Sequence, residues 1–90
     1  MNAVISVIGK DRVGIIARLS NICADNNVNI NDITQKVRHE TFTMIMWVRM
    51  DEKSEKDFVS LSKELEDAGK EMGLVIHVMH EDVFDAMHRI

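Results

Sequence analysis

The chain has 90 residues, with 15 acidic against 11 basic side chains and a net charge of −4. That length makes one domain, residues 1–90, with a modest core, and the charge argues against the basic face of a general nucleic-acid binder. A single cysteine rules out an internal disulfide and fits a reducing, cytoplasmic setting, while no apolar run approaches a membrane span and no signal-peptide pattern is visible.

Hydrophobic residues make up 46% of the chain and aromatics only 4%, so the core is aliphatic, with seven methionines to fill it. Ala3 to Ile8 is an apolar run broken only by Ser6, the pattern of a central strand. Gly9-Lys10-Asp11-Arg12-Val13-Gly14 then turns the chain, the two glycines allowing a sharp bend and close approach of a ligand. From Val13 to Ala24 the period becomes helical, with Ile15, Leu19 and Ile22 on one face, Ile16 and Cys23 beside it, and Asp11 placed as N-cap. Asp25-Asn26-Asn27 ends that helix.

Asn29 to Arg38 reads as a polar edge strand with Ile33, Gln35 and Val37 on one face. His39-Glu40 returns the chain as a hairpin into Thr41 to Met50. Ser54, with Asp57 three residues on, predicts a capped helix whose stripe is Phe58, Leu61, Leu65, Ala68 and Met72, and Gly73 predicts its stop. Leu74 to Met79 is a last strand, and Val83 to Met87 a short helical tail.

The order β-α-β-β-α-β predicts an α+β ferredoxin-like sandwich: a four-stranded antiparallel sheet in the order 4-1-3-2, two helices on one face, and a short C-terminal helix. Two helices cover one face only, yet the third strand is apolar on both. Either Ile45 and Trp47 or the Met-rich side is left to a second subunit, to an extended sheet, or to the C-terminal segment folding back.

That topology serves several functions, and each leaves residues to check. Thr41 to Trp47 lacks the aromatic and basic residues of an RNA-recognition strand. A lone cysteine excludes the Cys-x-x-Cys of a metal chaperone, and Ile15-Ile16 stand where a phosphate-binding loop needs Lys and Ser/Thr. An acylphosphatase-type enzyme would use a loop arginine and a strand asparagine, which Arg12 and Asn31 offer without the accompanying glycine pattern. His77 and His80, three apart on a strand, point to opposite faces, so any metal site would need a dimer. No nucleophile–base pair assembles from local spacing, and no cofactor or metal is expected. What remains is a strand-to-helix loop whose free N–H groups and helix dipole suit an anion or a carboxylate, together with Asn29-Ile30-Asn31-Asp32 at the start of the second strand, where asparagine, both donor and acceptor, can read an amino or carboxylate group.

Val7 to Ala17, with its Asp-Arg-x-Gly followed by aliphatics, and Val28-Asn29-Ile30 about fifteen residues on, resemble the ACT domain, a small regulatory module that binds amino acids. The ending Glu81 to Ile90 resembles that of small stand-alone ACT proteins, and the chain is similar to the ACT repeats of the glycine-cleavage transcriptional repressor. The resemblance implies a homo-oligomer, a homodimer or larger, with an amino acid held between subunits. It places Asp11, Arg12, Val13, Gly14 and Ile15 of one chain, and Asn29 of another, around the ligand. Val13 stands where many relatives have proline, and Gly9 where some serine-binding members have histidine. The implied protein is non-catalytic, cytoplasmic, and read by a further regulatory protein; an assembly module without a ligand is the alternative.

Overall fold

A computed structural model describes residues 1–89; Ile90, the last residue of the ending compared above, lies outside the described residues. The elements run β1 (Asn2–Lys10), α1 (Ile15–Asp25), β2 (Asn29–Arg38), β3 (Thr41–Arg49), α2 (Glu55–Met72), β4 (Leu74–His80) and α3 (Glu81–Met87). The sheet order is β2-β3-β1-β4 with every pair antiparallel, the expected ferredoxin-like arrangement.

β1 is paired along its length on both sides: Asn2 faces Arg49 and Lys10 faces Thr41 across β3, while Ala3 faces His80 and Gly9 faces Leu74 across β4. Alternation then decides the layers. Ala3, Ile5 and Val7 of β1 and Phe42, Met44, Met46 and Val48 of β3 point to the helices, where they meet Ile15, Leu19 and Cys23 of α1 and Leu61 and Leu65 of α2 in one core. The Met-rich side of β3 is therefore the buried one, its long unbranched side chains filling the space between sheet and helices. Ile16, expected beside the buried face, is exposed.

One departure lies in β2. Ile30 pairs with Val48 and Asp32 with Trp47, so Asn31 is a bulge residue. The extra residue lets Ile30 and Ile33, three apart, both pack on the core.

α2 has both ends closed. Ser54 Oγ accepts from the Asp57 N–H at 3.3 Å, and Asp57 Oδ2 accepts from the Ser54 N–H at 3.0 Å. Glu55 and Asp57 supply negative charge to the first turn, and Gly73 closes the helix at φ 72. His80 stacks on Phe58 with ring centroids 4.1 Å apart and bonds Glu55 Oε1 at 3.1 Å, joining β4 to the start of α2.

The other face of the sheet carries Val4, Ser6 and Ile8 of β1, Thr43, Ile45 and Trp47 of β3, and His77 of β4. α3 folds back over part of it. Phe84 meets Trp47 edge-on at 6.2 Å, Asn2 Nδ2 donates to Glu81 Oε2 at 3.3 Å, and Val4 is fully buried at that end. At the other end Ile8 is 50% and Val75 53% exposed. The expected fold-back of the C-terminal segment thus covers one half of this face, and the other half is left exposed.

The hydrogen bond from the Ser54 N–H, ahead of the Ser54 side chain and nearby lysines, holds the Asp57 carboxyl below its ordinary 3.8. A carboxyl lowered by folding stabilises fully above its unfolded value and loses that contribution as pH falls through the folded one. Asp57→Asn is therefore expected to lower the thermal midpoint at neutral pH, and the gap from wild type to close as pH drops below 3.8. A gap independent of pH in thermal melts would contradict this.

Candidate functional site: an uncapped helix start at the end of β1

The loop from β1 to α1 is built differently from its counterpart before α2. Gly9 is still in the strand, and a Cβ there would come within 2.7 Å of Leu74 Cδ2 and 2.9 Å of the Gly73 carbonyl oxygen. Its glycine is demanded by the start of β4, and the left-handed turn rests on Gly14 alone, which corrects the expectation that both glycines bend the loop. Asp11 donates its N–H to the Glu40 carbonyl at 2.8 Å, tying the loop to the β2–β3 hairpin.

Asp11 does not cap α1. Gly14 stands at the N-cap, in the left-handed region at φ 94, ψ 2, and no side chain bonds the helix start. That turn separates Asp11 from the first helical turn, which begins at Ile15 rather than Val13. The Gly14 carbonyl accepts the first helical bond, from the Arg18 N–H at 2.9 Å. The leading N–H groups of α1, which no helix satisfies from within, have no side-chain cap, and the first turn contains no acidic residue. The positive end of the helix is therefore open beside a loop whose tip, Val13, is 96% exposed.

Asp11, Arg12, Val13 and Gly14 are brought together at this end and are exposed; Ile15 is 2% exposed, so it offers its N–H and not its side chain. Asn29 is not brought to them. Lys10 lies in line with Thr41 and Arg38, whereas Asn29 lies in line with Arg49 and Asn2 at the opposite end of the sheet. Eight strand steps separate the two ends, about 27 Å. Asn31, the acylphosphatase-like candidate, sits at that far end too, so Arg12 and Asn31 do not form one site within a chain.

Two features were not foreseen. Asn29 Nδ2 donates to Asn31 Oδ1 at 2.7 Å, so the bulge residue holds the Asn29 side chain. The Glu40 carbonyl holds the loop. The first had a trace in the sequence, because Ile30 and Ile33 stand at an odd spacing within a strand; the second is a backbone contact that no side-chain pattern records. Cys23 is buried, and burial, then the charge of Glu64, pushes its thiol up to about 11, so it is held as the unreactive thiol. Among the described residues no three His, Cys, Asp or Glu side chains cluster as metal ligands, and no helix is long and apolar enough to cross a membrane.

Residues 2–79 match the sequence profile of the ACT domain. The chain belongs to the ACT-domain family. It is 51% identical over 87 residues, 97% of this chain and 96% of the other, to a UPF0237 protein of Methanocaldococcus jannaschii. A solved ACT domain protein from Streptococcus pneumoniae superposes with a TM-score of 0.81 at 41% identity, covering 98% of both chains. A structure assigned as a glycine cleavage system transcriptional repressor shares the fold, with a TM-score of 0.75 at 22% identity over 87% of this chain and 42% of that one. In this ACT domain, the left-handed turn at Gly14 makes a sharp prediction. Gly14→Ala meets no atom within 4 Å but is strained by its φ of 94. It is expected to cost about 1–2 kcal/mol without loss of the fold, and a neutral or stabilising effect in urea unfolding would contradict the backbone assignment.

Proposed function

We propose that this chain is a regulatory, non-catalytic module of the cytoplasm that binds an amino acid between two copies of itself, residues 1–90 acting as one domain. The observation that carries the reading is the open start of α1. The same chain closes α2 with a capping box and two acidic residues, yet leaves α1 with neither, and sets a left-handed glycine and an exposed loop there instead.

The chemistry follows from the groups present. The N–H groups around Val13 and Ile15 are donors for a ligand carboxylate, with Arg12 adding positive charge at the rim. Asp11 and the Asn29 amide oxygen are acceptors for an ammonium group. Because Asn29 is about 27 Å from the loop of its own chain, the set closes only if a second copy supplies one half. β2 provides the means: it is a ten-residue edge strand. Antiparallel pairing of two such edges about their centres sets Asn29 of one copy against Arg38 of the other, at the end of the sheet where that copy's loop lies. A ligand bridging the two would stabilise the paired state by its differential affinity and report its presence to a further regulatory protein.

A thermal-shift panel of the twenty amino acids at millimolar concentration tests this. A ligand at about a hundred times its dissociation constant stabilises the fold by roughly 2.7 kcal/mol and moves the midpoint by several degrees. One amino acid is expected to do so, and Asp11→Ala or Asn29→Ala to abolish the shift while changing ligand-free stability by less than about 0.5 kcal/mol. A flat panel together with no heat in calorimetry would overturn the reading.

A further inference from the structure

The half of the bare sheet face that α3 leaves open is a depression of about 340 Å³ lined by Ser6, Ile8, Thr34, Lys36, Thr43 and Ile45. We propose that it receives α3 of a second copy of this chain, forming a symmetric face-to-face interface separate from the β2 edge.

Charge and shape carry this. The two ends of the bare face have opposite character. At the open end Lys10, Lys36 and Arg38 are exposed, and none takes part in a salt bridge among the described residues. At the covered end stand Asp32, beside Trp47, and α3 with Glu81, Asp82 and Asp85 and no basic residue. Of the cations at that end, Arg49 is engaged by Asp51 at 2.9 Å and the amino terminus donates to the Met50 carbonyl at 3.3 Å, while Arg89 follows α3 and is exposed. Glu40 and Asp11 lie in the turn and loop beyond the basic end, outside the paired strands.

α3 itself is only half used. Phe84 faces inward on Trp47, while Val83 and Met87, one turn apart, are 49% and 66% exposed. They form a short apolar stripe beside the acidic residues, matching a depression that is apolar at its floor, in Ile8 and Ile45, and basic at its rim. A two-fold axis lying between two such faces and crossing the strands brings each α3 over the other copy's depression, acidic helix on basic end. An axis along the strands would instead set α3 on α3, with like charges opposed. The molecule is a slab of 38 × 35 × 19 Å, so its broad face exceeds the roughly 800 Å² per partner of a stable interface.

Two charge-reversed variants test the arrangement, Lys10→Glu/Lys36→Glu and Asp82→Lys/Asp85→Lys, both at exposed positions. Masses are measured by sedimentation without any amino acid present, so the result does not depend on ligand binding. Each variant alone opposes like charges across the interface and is expected to halve the wild-type mass, weakening association by roughly 100-fold. An equimolar mixture is expected to restore it, because each end of one variant then meets the opposite charge on the other. Circular dichroism confirms that both are folded. Unchanged masses, a mixture that fails to restore association, or a wild type that is monomeric would overturn the proposal; in the last case the depression is left to a different protein or to water.

Discussion

The pairing of β1 in the middle of the sheet is the constraint from which the rest follows. Nine residues paired with β3, seven of them, Ala3 to Gly9, paired with β4 as well, fix what lies at each end of the molecule. The loop that opens α1 is at one end and Asn29 at the other; α3 covers one half of the bare face and the depression occupies the other. Neither pair can meet within a chain of this rigidity. Each becomes adjacent once a second copy is added in the antiparallel sense, and that is why both proposals are statements about assembly.

A second contrast lies in the treatment of the two long helices. α2 is satisfied locally at both ends and joined to β4 through His80, Phe58 and Glu55. α1 is equally well packed, with Ile15, Leu19, Ile22 and Cys23 buried, but its start is left electrostatically open. A buried face thus anchors a helix whose positive end faces outward, the division of labour expected of a binding element on a rigid support.

Much of this was written in side-chain pattern. The switch from period two to period 3.6 marked each element, Ser54 with Asp57 marked the start of α2, and Gly73 its end, because those signals are local. Asn29 is a candidate ligand group by its chemistry, and its proposed relation to a partner's loop comes from the resemblance to ACT domains. What stayed hidden depended on backbone geometry or distant packing. Asp11 has the right chemistry for a cap, but the left-handed turn at Gly14 sets the helix start beyond it. Gly9 is needed by Leu74, 65 positions later in the chain. Met44 and Met46 are buried and Ile45 and Trp47 only partly so, and an alternation of two apolar sets does not encode which of them the helices cover.

The central claim, a site shared between two chains, is tested most directly by complementation in calorimetry, using the amino acid that stabilises the wild type. Asn29→Ala and Asp11→Ala each remove one half of every site in their own dimers, so neither alone should bind. In a re-equilibrated equimolar mixture half of the dimers are mixed and each has one intact site, so about a quarter of the wild-type site number should return. No binding in the mixture, or binding by either variant alone at wild-type stoichiometry and affinity, would contradict the account.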